Sequence, residues 1–160
     1  MGASGNTFTV ETPDREIVMT RVFDAPRELV FDAHASCEHM SKWWGPRKYE
    51  ASSCEIDFRT GGTWRIVLKG PDGEVPGFHG EYLEVVRPER FTWTFVWEGA
   101  GEDGPETFTF EEHDGKTTLT TRSTFPTVEE RDAVLESGML EGAGQTYDRL
   151  DEYLDVLRDR

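Results

Sequence analysis

The chain has 160 residues, 36% hydrophobic and 12% aromatic, enough for one globular domain able to bury about 70% of its unfolded surface. Seventeen basic against 32 acidic residues give a formal net charge of -15 with no basic block, which argues against a nucleic-acid backbone or an anionic membrane as partner. No stretch approaches the ~20 apolar residues of a membrane span, and the N-terminus lacks the basic-then-apolar order of a secretory signal, so a cytoplasmic protein without membrane insertion is expected.

Residues 1–6 are small and polar and are expected to be disordered, with a single domain over 7–160. Residues 7–23 read as strand with a turn at Thr12-Pro13-Asp14, because Val10, Ile17, Val18, Val22 and Phe23 are β-prone. Asp24-Ala25-Pro26 stops the strand and starts a short helix over about 26–34, with Pro26 suited to the first helical position, where its missing amide is no loss. Ser36 can cap a second helix through Trp44, which Gly45-Pro46 ends. Cys37 and Cys54 form no motif, and reduced thiols are the expectation.

Strands are expected at 50–58, 63–69, 78–86, 91–97, 106–112 and 116–125, joined by turns at Gly61-Gly62, Pro71-Asp72-Gly73, Pro88-Glu89-Arg90 and Asp114-Gly115. Consecutive hairpins of this kind make an antiparallel meander. The acidic, glycine-bearing segment 98–105 reads as a flexible connection. Alternation places Phe91, Trp93, Phe95 and Trp97 on one face with Phe108 and Phe110, so one side of the sheet is lined with large aromatics. Leu119, Thr121, Ser123 and Phe125 share a face that turns from apolar to hydroxyl-bearing, and Trp64, Ile66 and Leu68 point inward. In 78–86 either Tyr82 or Leu83 could be the inward residue, and a bulge would explain the ambiguity.

The last stretch, 127–160, reads as one long helix. Leu135, Met139, Ala143, Tyr147, Leu150, Leu154 and Leu157 form an apolar stripe at helical period, and Thr127 with Glu130 offers a capping box at its start. Gly138, Gly142 and Gly144 interrupt its first half at roughly 1 kcal/mol each relative to alanine, which suggests a functional reason such as the mouth of a cavity.

Several ordered motifs carry a resemblance: Thr20-Arg21-Val22-Phe23-Asp24-Ala25-Pro26, Trp43-Trp44-Gly45-Pro46, Asp57-Phe58-Arg59-Thr60-Gly61-Gly62-Thr63-Trp64-Arg65, Gly80-Glu81-Tyr82-Leu83-Glu84-Val85-Val86, Phe91-Thr92-Trp93 and Gly138-Met139 with Gly142. Over about 7–157 the chain resembles the heat-shock protein 90 ATPase activator homologue group of the SRPBCC or START-like superfamily. The resemblance implies an α+β helix-grip fold, a curved seven-stranded antiparallel sheet wrapped around a long C-terminal helix, with two short helices after the first strand. It leaves function open, because similar domains include lipid carriers, polyketide cyclases and co-chaperone domains. The chain departs from the pattern after Gly142, where a bulky residue is expected and Ala143-Gly144 stands instead.

Three functions compete. The first is binding of a small hydrophobic molecule, aromatic, polyketide-like or lipid, in a cavity lined by Trp43, Trp44, Trp64, Tyr82, Trp93, Phe95, Trp97, Phe108, Phe110, Thr121, Ser123, Met139, Ala143 and Tyr147. The second is a cyclase, dehydratase or hydrolase using His79, Tyr82 and Glu84, which requires their side chains to converge. The third is a chaperone-related interaction domain, which calls for a large exposed apolar patch. For most of the aromatics ordinary core is the better reading, although some must line any cavity. His34, Cys37 and His39 invite a zinc reading, but no second ligand pair follows, so neither metal nor cofactor is expected. A homodimer is compatible with the sequence.

Overall fold

The turn at Thr12-Pro13-Asp14 divides the first extended stretch into two strands. Asp14 takes a left-handed φ of 52°, and the Glu16 amide donates to the Pro13 carbonyl at 2.9 Å. The computed structural model describes residues 8–98 and 101–158, with backbone alone for 101–103; residues 1–6 lie outside the described residues. Strand β1 (Phe8–Glu11) and strand β2 (Glu16–Phe23) are followed by helices α1 (Arg27–Asp32) and α2 (Cys37–Trp43). Six strands follow: β3 (Glu50–Ile56), β4 (Thr63–Lys69), β5 (Gly77–Val86), β6 (Arg90–Trp97), β7 (Gly101–His113) and β8 (Lys116–Thr124). Helices α3 (Val128–Glu136) and α4 (Met139–Arg158) end the chain.

All eight strands form one antiparallel sheet in the order β1-β2-β8-β7-β6-β5-β4-β3. The fold is the expected α+β helix grip, with one strand more than the seven anticipated because β1 folds back on β2. β3 to β8 are the meander, and α1 and α2 carry the chain across the sheet from β2 to its far edge at β3. Asp114 and Gly115, at φ 54° and 81°, make the tight turn expected of their sequence. The register shifts between Tyr82 and Glu84, so Leu83 is bulged outward and 47% exposed while Tyr82 is fully buried. A second shift lies opposite Gly104, and 101–105 are strand rather than the anticipated loop; 99–100 of that segment are outside the described residues.

The C-terminal helix is broken, contrary to the continuous helix expected. The left-handed φ of 88° at Gly138 cannot continue an α-helix, and α3 ends at Glu136 with Ser137 as its C-cap just before it. α4 carries Tyr147, Leu150 and Leu154 into the main core, whereas α3 has no fully buried residue and rests on Ile17, Met19 and Phe125 through Val134 and Leu135. The Thr127 hydroxyl accepts from the Glu130 amide at 3.1 Å. Thr127→Ala is expected to lower stability by about 1 kcal/mol, seen as a Tm lower by about 2–4 °C. An unchanged Tm would show that the cap does not hold α3.

Pro26 occupies the N-cap of α1 rather than its first turn. Ser36 caps α2 by accepting from the His39 amide at 3.3 Å, and Gly45 ends that segment with a φ of 106°. The two cysteines are joined, contrary to the reduced thiols expected: Cys37 and Cys54 form a disulfide between α2 and β3. Seventeen positions apart in sequence, they are brought side by side by the return of the chain after Gly45-Pro46. No helix among the described residues is long and apolar enough to cross a membrane.

Candidate functional site

The helix and the aromatic face of the sheet do not meet along their whole length, and between them lies a chamber of about 990 Å³. Several contacts tie α4 to its surroundings, among them Gln145 Oε1 accepting from the Arg47 amide at 3.1 Å and a pair on either side of the helix. On one side buried Arg21 of β2 pairs with Asp148 at 2.9 Å, and on the other Arg149 donates to the Gly45 carbonyl at 2.9 Å. That pair lies beyond Tyr147, and the chamber opens beside the first half of the helix. Gly138, just before α4, and Gly142 and Ala143 within it project little into that room, which Met139 also lines.

The sheet supplies the opposite wall. Trp93, Phe95 and Trp97 of β6, Phe108 of β7 and Phe78 of β5 line it, with Trp43 and Trp44 of α2 at the side. The rings brace each other: Trp44 meets Phe78 edge-on at 5.2 Å between centroids, and Trp93 stacks on Trp64 at 4.0 Å. The exposed lining residues Val75, Trp97, Ser137 and Gly138 mark the mouth. Glu74 lies there too, accepting from the Tyr49 hydroxyl at 3.1 Å.

Of the residues anticipated as lining, Trp43, Trp44, Trp93, Phe95, Trp97, Phe108, Ser123, Met139, Ala143 and Tyr147 face the chamber. Trp64, Tyr82, Phe110 and Thr121 do not. They are buried behind its wall, Trp64 under Trp93 and Thr121 between Met19 and Phe108 of the neighbouring strands. Alternation placed Trp64, Phe110 and Thr121 on the inner face and left Tyr82 open against Leu83, but it cannot tell which inner residues their neighbours cover.

The three catalytic candidates do not share a pocket, which corrects the expectation that they act together. Tyr82 is fully buried in the core, whereas His79 lies on the outer face and meets Glu98 at 2.7 Å. Glu84 is also outward, accepting from Arg90 at 3.0 Å. Strand parity separates Tyr82 from His79, and the Leu83 bulge leaves Glu84 outside as well. Arg65, then His79, hold the Glu98 carboxyl down to about 2, the behaviour of a surface ion-pair cluster. His39 instead bonds the Tyr153 hydroxyl at 2.6 Å, and among the described residues no cluster of three or more His, Cys, Asp or Glu is placed to hold a metal.

Two polar residues of the interior were not anticipated as cavity groups. Glu106 accepts from Trp93 Nε1 and from Ser123 Oγ, each at 2.8 Å. Its position could have been read from parity, since it stands two residues before Phe108 and four before Phe110. The second is His34, 2% exposed, whose Nδ1 lies 2.9 Å from the Val30 carbonyl. A carbonyl only accepts, so Nδ1 carries the proton and Nε2 is a bare acceptor. Nε2 has no hydrogen-bond partner. Burial brings the His34 pKa from its ordinary 6.5 down to about 4, against a smaller opposing effect of the Val30 carbonyl, so the ring is neutral near pH 7. Burial, and then nearby Glu106, push the Tyr147 hydroxyl up, keeping it protonated.

A curved antiparallel sheet gripping a C-terminal helix over an aromatic chamber defines a helix-grip domain. The chain belongs to the Activator of Hsp90 ATPase homolog 1-like protein family, whose sequence model matches residues 24–155. Protein Ms6760 from Mycobacterium smegmatis is similar to it, with 28% identity, a TM-score of 0.82 and coverage of 95% of this chain and 99% of that one. A protein from Rhodobacter sphaeroides is 25% identical with a TM-score of 0.86, over 94% of this chain and 99% of its own. CalU16 from Micromonospora echinospora shares the fold at 20% identity, with a TM-score of 0.61 over 96% of this chain and 88% of that one. No curated protein matches the chain.

Proposed function

We propose that this protein binds a small hydrophobic molecule of aromatic or polycyclic shape between its sheet and the glycine-rich half of α4. The observation that supports the reading is the chamber of about 990 Å³ walled by indole and phenyl rings. Its size is at the upper end of the roughly 300–1,000 Å³ common for ligand sites, which bury most of a drug-sized molecule. Flat ring faces favour flat guests through offset and edge-on contacts, and the few polar groups set orientation. Titration with flavonoids, polyketides and fatty acids is expected to quench tryptophan fluorescence, because Trp43, Trp44, Trp93 and Trp97 all line the chamber. At a ligand concentration about a hundred times Kd the linkage is worth roughly 2.7 kcal/mol, which raises Tm by about 5–10 °C. If every compound leaves both fluorescence and Tm unmoved, the reading fails.

A further inference from the structure

The chamber's polar atoms differ in what they have left to offer. Most of its side-chain donors are already committed within the protein. Trp43 Nε1 donates to the Ala33 carbonyl at 3.0 Å. Trp93 Nε1 and Ser123 Oγ both donate to Glu106, and the Tyr49 hydroxyl donates to Glu74. Among its acceptors one is buried without a partner: His34 Nε2, deprotonated, on a residue that lines the chamber and is 2% exposed. An unsatisfied buried acceptor carries a desolvation penalty that an incoming donor removes. Around His34 the ring edges of Trp43, Phe108 and Phe110 lie 4.9, 5.8 and 5.3 Å away between centroids, so the surroundings of Nε2 are aromatic.

Glu106 settles what the same occupant cannot carry. Its oxygens meet Trp93 Nε1 and Ser123 Oγ, and its negative charge is among the causes that push the Tyr147 hydroxyl up. In a chamber of low polarity a second carboxylate would face it with little screening, and unscreened repulsion at close range is large.

We infer that the occupant is an uncharged aromatic molecule bearing a phenolic hydroxyl, which donates to His34 Nε2 while its rings lie among the aromatic side chains. The inference rests on the ligand-binding reading above and specifies its chemistry: phenols are favoured, their methyl ethers are weaker, and aryl or fatty carboxylates are disfavoured by Glu106.

A matched series separates these claims: naphthalene, 2-naphthol, 2-methoxynaphthalene and 2-naphthoate, titrated by tryptophan fluorescence into the wild-type protein, His34→Phe and Glu106→Gln. In the wild-type protein 2-naphthol is expected to bind about 10-fold more tightly than its methyl ether, the equivalent of one net hydrogen bond. His34→Phe brings that ratio to about one, and Glu106→Gln narrows the gap between 2-naphthol and 2-naphthoate. Equal binding of 2-naphthol and its ether by the wild-type protein would overturn the inference and leave the chamber reading standing, and that arm needs no variant to fold. A preference that persists undiminished in folded His34→Phe would also overturn it. Failure of all four compounds, naphthalene included, would overturn both readings.

Discussion

Replacing Ala143 with tryptophan is expected to weaken binding of an aromatic probe by about 100-fold, roughly 2.7 kcal/mol, without lowering Tm. The reason lies in where the missing bulk would go. Ala143 lines the chamber from the first half of α4, on the same turn as Gly142 and below the φ 88° kink at Gly138. An indole at this position enters the space otherwise open to a guest, and meets the aromatic wall rather than solvent. The new ring buries apolar surface at about 25 cal/mol per Å², so stability should hold or rise while capacity falls. Ala143→Ser, which adds a single atom, is the control and should bind as the wild-type protein does. Unimpaired binding by Ala143→Trp, measured by the same fluorescence titration, would show that the guest lies elsewhere.

The second large effect is on acid stability. With its pKa held near 4 in the folded state, His34 remains neutral where the unfolded chain, with the ordinary value of 6.5, takes up a proton. The unfolded state therefore binds more protons between about pH 6.5 and 4, and folding stability falls as the pH drops through that window. Complete traversal corresponds to about 3 kcal/mol. Above pH 6.5 no such loss occurs. Glu98 acts in the adjoining, lower range: its depressed carboxyl contributes stability that is present above its ordinary 4.5 and is lost toward about 2. His34→Phe isolates the histidine, because phenylalanine fits an aromatic surrounding and cannot titrate. Urea unfolding at pH 7 and at about pH 4.5 should show the wild-type protein losing about 2 kcal/mol more than the variant does, most of the full effect. Identical losses in both would mean that His34 is not held neutral by burial.

Much of the fold was legible because it is written in local alternation and punctuation. Phe91, Trp93, Phe108, Leu119 and Phe125 are buried as their parity requires, and the Tyr82–Leu83 conflict resolved into a bulge. What remained hidden depended on contacts distant in sequence. Cys37 and Cys54 belong to different elements, and nothing in their spacing says that α2 will lie against β3. Gly138 was visible as a weak helix former, but its propensity alone could not distinguish a tolerated glycine from a left-handed break between two helices. The site was legible to the same depth. Inner-face aromatics were recognisable, yet the separation of lining from backing residues, as between Trp93 and Trp64, needed the second layer. His34 drew attention through its neighbours Cys37 and His39 and not through its own environment, which is set by Phe91, Phe108 and Phe110 on strands far along the chain.

The Cys37–Cys54 link encloses Trp43, Trp44, Gly45, Pro46 and Tyr49, five residues of the chamber's lateral wall. A covalent loop of this size removes roughly 3 kcal/mol of chain entropy from the denatured ensemble, on the chain-entropy account. Its consequence concerns the unfolded chain as much as the folded one. In the oxidised unfolded chain the side of the chamber that presents two adjacent indoles stays gathered in one tethered loop, and the segment has fewer arrangements to abandon when it is laid against β3.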